Sequence, residues 1–507
     1  MLFNSVEFIF LFLPVTFVGF YWLKFSNKPL IAIRWLVFAS LFFYAWWDPK
    51  LIWIILISVL FNFYIGQAIL KWERRYLLIL GIIGNLALLA YFKYFNFIID
   101  NINLAFSSNY SFEKIILPIA ISFFTFQQIA YLVDTYKGKT QKHSLLQHCL
   151  FVAFFPQLIA GPIVHHKEMF PQFETLARSE IRFDYIAWGC TIFSIGLFKK
   201  VVLADNLSLH VDPYFSASAN STILTFYEAW LAALAYSLQI YFDFSGYSDM
   251  AIGLALLFGI RLPINFLSPY KAGSIIDFWH RWHMTLSRFL RDYLYFPLGG
   301  NRKGIVRRYI NLLLTMLLGG LWHGANWTFV CWGGLHGLYL VVNHAWRYIK
   351  SFIGLKNNDH KTTITGICIT FIAVTISWVF FRSDSIASAI ELLRSMFGFN
   401  GISLPQLFSN IPLLGEYEQL NFGFIFVHDL SNSVEGIIWV VLSAIILWLL
   451  PNTAQIYTGT LLRTENIIKS HRITWKPDIL WASFSAIVFV GSILFINSIE
   501  EFIYFQF

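Results

Sequence analysis

A helix that crosses about 30 Å of hydrocarbon takes about 20 mostly apolar residues, and stretches of that kind recur from one end of this chain to the other. The pattern predicts about eleven or twelve membrane spans, at 8–23, 31–47, 51–70, 76–97, 115–132, 185–203, 223–242, 310–321, 328–342, 364–381, 437–450 and 480–496. Two further apolar stretches do not read as spans. Residues 151–164 are short and interrupted by Pro156, Gly161 and Pro162, as in a re-entrant segment lining a protein cavity. Residues 251–260 are too short to cross. From 271 to 295 the pattern predicts a helix too charged to span, with Arg281, Arg288, Arg291, Asp277 and Asp292 set among Phe278, Trp279, Trp282, Phe289 and Leu290. Such a helix lies along the cytoplasmic boundary or lines a cavity. The expected fold class is all-α, a polytopic membrane protein forming one domain, 1–507, that ends in a short tail, 499–507.

Composition supports this. Hydrophobic residues make up 57% of the chain and charged ones 13%, where soluble domains carry about 25% charged residues. The net charge of +8 does not indicate nucleic acid, because the Lys and Arg residues sit in short clusters between apolar runs. If the spans alternate, Lys71, Arg74 and Arg75, then Lys137, Lys139 and Lys142, then Arg302, Lys303, Arg307 and Arg308, then Arg463, Lys469, Arg472 and Lys476 fall on one side. That side is expected to be the cytoplasm. The loops 100–113, 205–222 and 395–436 hold no Lys or Arg and are expected outside, with both termini. The first apolar run lacks a basic flank and a small-residue cleavage site, so it reads as a retained span. The four cysteines form no CxxC pair, so neither a disulfide framework nor a zinc site is expected.

Ionisable groups inside apolar segments mark candidate chemistry. His323 stands between Gly319, Gly320 and Gly324, which allow a backbone or a substrate to approach its imidazole. That ring is suited to take a proton from a hydroxyl near neutral pH; the alternative is a structural histidine held by a backbone carbonyl. His280 and His283 are spaced to share a helix face, yet no acidic or cysteine ligand accompanies them and no metal is expected. Asp243 and Asp249 lie at the end of an apolar run, where they either bind a substrate hydroxyl or cap the next helix. Trp279, Arg281 and Asn326 join Asp243 as candidates for holding substrate, the arginines near Arg281 by pairing with donor phosphates or, equally, by anchoring the helix to headgroups. Tyr504, in the aromatic tail, is either an interfacial anchor or a nucleophile served by His323 as base.

The stretches 117–124 (LPIAISFF), 155–162 (FPQLIAGP), 241–253 (YFDFSGYSDMAIG), 278–283 (FWHRWH), 290–295 (LRDYLY), 298–302 (LGGNR) and 316–326 (MLLGGLWHGAN) resemble the membrane-bound O-acyltransferase superfamily. The likeness is to the branch that holds the membrane subunits of alginate and peptidoglycan O-acetylation. It implies a ring of tilted helices around a thinned centre, where a cytoplasmic cavity and an outward funnel meet near His323. It places the family's active-site histidine on His323 and a second family histidine on His283. The family often has Arg where this chain has His280, which is given no catalytic role. The tail residues Phe502, Tyr504 and Phe507 are similar to an FxYxxF motif in which the tyrosine carries the acyl group.

What the resemblance implies is an O-acetyltransferase with no bound cofactor, using acetyl-CoA as donor substrate. Polysaccharide would be reached through a separate extracytoplasmic serine-type (SGNH-like) transferase, since the chain has no large hydrophilic insert and no GxSxG elbow. The expected location is the bacterial cytoplasmic (inner) membrane. The alternatives are a D-alanyl, lipid or protein acyltransferase, or a transporter using buried His and Asp as a path.

Overall fold

The structure is a computed structural model of the chain and describes residues 1–26, 28–159, 161–176, 180–354, 363–404, 421–422, 430–457, 473–496 and 503. A π-helical turn, Phe8–Phe12, leads into α1 (Leu13–Phe25), followed by α2 (Pro29–Ala45), α3 (Ile52–Trp72) and α4 (Arg75–Leu89). A second π turn, Ala90–Tyr94, joins α4 to α5 (Phe95–Phe106). Next come α6 (Ile121–Tyr136), α7 (Leu145–Ala153), the single turn α8 (Phe155–Leu158) and α9 (His166–Leu176). Helix α10 (Phe183–Phe198) runs through a third π turn, Lys199–Ala204, into α11 (Asp205–Ser208), and then come α12 (Asp212–Ala219) and α13 (Phe226–Leu257). The short α14 (Ile275–Trp279) and α15 (Met284–Leu290) end in a π turn, Arg291–Tyr295. They precede α16 (Ile305–His323), α17 (Trp327–Phe352), α18 (Ile364–Arg382), α19 (Ile386–Met396), α20 (Leu430–Leu449), α21 (Thr453–Tyr457) and α22 (Ile479–Leu494). The strands among the described residues are a two-residue parallel pair, β1 (Ser403–Leu404) and β2 (Asn421–Phe422).

Each predicted span falls on a helix, so the all-α polytopic expectation holds. Seven helical stretches among the described residues are long and apolar enough to cross a membrane. They are Phe8–Phe25, Pro49–Trp72, Arg75–Phe106, Phe183–Ser208, Ile305–His323, Ile364–Arg382 and Val434–Ile456, with two shorter apolar helices at Leu30–Ala45 and Ile479–Leu494. That is fewer than the eleven or twelve expected: α2, α6 and α22 are shorter than 18 residues, and α13 and α17 are more polar. Large apolar side chains stand open on the long helices, Trp53 at 65% and Ile369 at 69% exposure. A soluble monomer rarely leaves such faces uncovered, and lipid covers them at no cost.

Three local expectations are corrected. The helix expected from 115 starts only at Ile121, because Pro118 lies ahead and Ala120 takes a left-handed turn at φ 64°. Residues 223–242 and 251–260 are not separate segments but parts of the 32-residue α13, so Asp243 and Asp249 lie inside a helix and cap nothing. The stretch 271–295 is not one helix: it breaks between α14 and α15, where His283 adopts φ 42°. His280 and His283 therefore do not share a helix face. The interruption expected within 151–164 is present, with α7 ending at Ala153 and the backbone leaving α8 after Leu158.

The chain forms two compact units, one built from 1–198, 246–265 and 476–496, the other from 199–245 and 266–475. In the first, α3 and α4 are joined by a buried reciprocal amide pair, Asn62 and Asn85, at 3.2 and 2.6 Å. Interhelical polar pairs of this kind hold helices together where lipid offers no hydrophobic drive. In the same unit α10 meets the end of α13 at Gly189 and Gly253, where a Cβ on either would lie 2.7 Å from the other's carbonyl oxygen. In the second unit the antiparallel hairpin of α16 and α17 packs with α14 and α18 and carries the candidate chemistry.

Candidate active site

Close helix contact places His323. A Cβ on Gly320 would lie 2.2 Å from the Phe329 carbonyl oxygen, and one on Gly333 would lie 2.2 Å from that of Met316, so α16 and α17 touch backbone to backbone. The glycines thus admit a neighbouring helix. Gly320→Ala should force the pair apart at a cost of about 1–3 kcal/mol and lower the melting temperature in detergent. An unchanged melting curve would show that the hairpin does not depend on the contact.

His323 is the last residue of α16 and is almost fully buried. Its ring centroid lies 4.9 Å from Trp322, 5.0 Å from Trp332 and 5.3 Å from Phe381, in edge-on arrangements. A helix C-terminus favours positive charge, and His323 stands at one. The chain then leaves the helix through Gly324, and Asn326 starts α17 as its N-cap. Asn326 Oδ1 accepts from the Thr328 N–H at 3.1 Å, and Nδ2 donates to the Asp384 carbonyl at 3.0 Å. Both ends of this amide thus serve the backbone.

His283 is fully buried and sits in the left-handed region, which costs a non-glycine residue about 1–3 kcal/mol. Its ring packs edge-on against Phe244 at 4.8 Å and lies 6.4 Å from Trp322, which therefore adjoins both histidines. Burial holds the His283 imidazole down at about 3, from an ordinary 6.5, so it is neutral at physiological pH. A neutral imidazole offers one N–H donor and one lone pair.

A third histidine, His336 on α17, was not singled out from the sequence. It is fully buried, its Nε2 lies 2.8 Å from Ser377 Oγ, and its ring is 4.8 Å from Trp332 and 5.2 Å from Trp279. Its signal was the one that marked His323, glycines on both sides at Gly333, Gly334 and Gly337. Histidines and tryptophans thus alternate: His283, Trp322, His323, Trp332, His336. Trp279 closes the row, 5.9 Å from Trp332.

The remaining candidates lie as follows. Arg281 Nε bonds Asp277 Oδ1 at 2.7 Å, and its carbonyl accepts from the Leu267 N–H at 2.9 Å. Asp243 is paired at 2.7 Å with the buried Lys200, which also meets Asp205 at 2.8 Å. The π turn that interrupts the helix after Phe198 carries Lys200 into this cluster; such turns often mark functional positions. The next residue along the helix from Asp243, Phe244, packs its ring on His283. Tyr504 lies outside the described residues.

Residues 41–382 match the membrane-bound O-acyltransferase (MBOAT) family. A peptidoglycan O-acetyltransferase of Helicobacter pylori is 43% identical to this chain, over 100% of this chain and 98% of its own. A probable alginate O-acetylase of Pseudomonas aeruginosa is 42% identical over 80% of this chain and 77% of its own. A teichoic acid D-alanyltransferase of Bacillus subtilis is 28% identical over 53% of this chain and 69% of its own. The matched span contains His283, His323 and His336, and it ends at Arg382, the last residue of α18.

Proposed function

The chain belongs to the membrane-bound O-acyltransferase family, and from that premise we propose that it moves acetyl groups from cytoplasmic acetyl-CoA across the membrane for O-acetylation of an envelope polysaccharide. The observation that carries the reading is His323, held at a helix C-terminus among aromatic rings and joined through Trp322 to His283. His323 acts as general base: it takes the proton of the Tyr504 phenol, the phenolate attacks the thioester carbonyl, and the CoA thiolate leaves and is protonated. A phenol of pKa about 10 needs such a base near neutral pH. Burial among rings keeps water, which would hydrolyse the acyl group, away from the reaction. The acetyl-tyrosine then passes its group to a separate extracytoplasmic serine-type transferase, which acetylates the polymer. His283 and the Lys200–Asp243–Asp205 cluster position the aromatic row, and Trp279 and Arg281 line the donor's approach.

Peptidoglycan is favoured as acceptor, because the relative named for it aligns along this entire chain while the relative named for alginate covers 80% of it. D-alanyl transfer is disfavoured by the 28% identity and shorter match of the D-alanyltransferase. Tyr504→Phe tests the relay in cells. It should bring polymer O-acetylation to the level of a deletion strain with the protein still in the membrane fraction. Unchanged acetylation would return Tyr504 to the role of an interfacial anchor.

A further inference from the structure

A group of metal-ligand side chains lies in the first unit, in residues that the acyl-transfer reading does not use. Asp134 near the end of α6, His165, and His166 at the start of α9 bring one ligand atom each to within 4.8 Å of one another. A tetrahedral ion bound at about 2.1 Å separates its ligands by about 3.4 Å, a difference that side-chain rotation closes. The donor set, two imidazoles and one carboxylate, is that of borderline divalent transition metals, and three protein ligands leave a fourth position for water.

An independent observation comes from the His166 ring. Its Nδ1 is buried and makes no hydrogen bond among the described residues, in a side chain only 2% exposed. A buried nitrogen in that condition calls for an explanation, an unplaced ion being one. The other nitrogen, Nε2, lies 2.9 Å from Thr140 Oγ1. With Nε2–H donating to that hydroxyl, Nδ1 carries the lone pair and the ring is held in place, the usual arrangement behind a metal-bound histidine. His165 Nε2 is 2.8 Å from Asp134 Oδ2, and His165 is partly exposed, which supplies a path for entry. Lys139 reaches Asp134 only at 4.0 Å and is half exposed, so it can turn into solvent.

We infer that Asp134, His165 and His166 form a binding site for a divalent transition metal of the zinc class, tying the end of α6 to the start of α9.

The test uses the full chain purified in detergent with a tag that contains no histidine, stripped with chelator and titrated with Co(II), followed by Zn(II). Wild type should take up about one Co(II) per chain, with visible d–d bands that Zn(II) removes, and its melting temperature should rise with metal. His166→Ala and Asp134→Asn should each weaken uptake at least tenfold. His165→Gln, at a partly exposed position, gives the same reading should either of the others fail to fold. A folded wild type that takes up no metal at micromolar concentration, or variants that bind as wild type does, would overturn the assignment.

Discussion

Replacing His323 by Gln should lower polymer O-acetylation by about 10²–10⁴-fold, the contribution of a positioned general base, while the protein stays folded in the membrane. Gln keeps much of the ring's volume between Trp332 and Phe381, so the change removes basicity more than packing. His323→Ala should lose activity as completely and also melt lower, since it empties a site enclosed by three aromatic rings. Acetylation of the cell-wall polymer, measured by base-released acetate, is the readout for activity. A Gln variant with wild-type acetylation would reduce His323 to a core residue.

The second large effect is expected at Lys200. Its ammonium is 2% exposed and stands between Asp243, 1% exposed, and Asp205. Lys200→Met should cost about 3–5 kcal/mol, the penalty of leaving a buried charge without its partner. Here two carboxylates would then face each other. The variant should melt far below wild type or fail to reach the membrane, and adding Asp243→Asn should recover part of the loss by removing one of the stranded charges. Asp243→Asn alone also separates the two roles open to this carboxylate. Lost stability identifies a partner of Lys200, whereas a raised donor KM in a normally folded protein identifies a substrate contact.

Much of this architecture could be read from residue order. Apolar runs marked every long helix, and the interruption around Pro156 and Gly161 appeared where expected. His323 stood out because a polar ring between glycines in an apolar run has few uses. The Asp243–Asp249 region misled because Asp, Ser and Gly together resemble a helix end. What keeps Asp243 inside a helix is Lys200, far away in the chain, and a local pattern carries no trace of that pairing. The break at His283 was hidden for a similar reason. The aromatic and charged positions of 275–295 keep a helical period, and only the backbone shows the left-handed residue that splits them. His336 was legible by the glycine rule that found His323, but no familiar string surrounds it.

The measurement that bears most directly on the acetyl relay is the fate of labelled acetyl-CoA with purified protein, located by mass spectrometry in wild type and in His323→Gln. The account predicts acetyl on the C-terminal peptide at Tyr504 in wild type and none in the variant. Label on another residue, or label on Tyr504 that persists without His323, would contradict it.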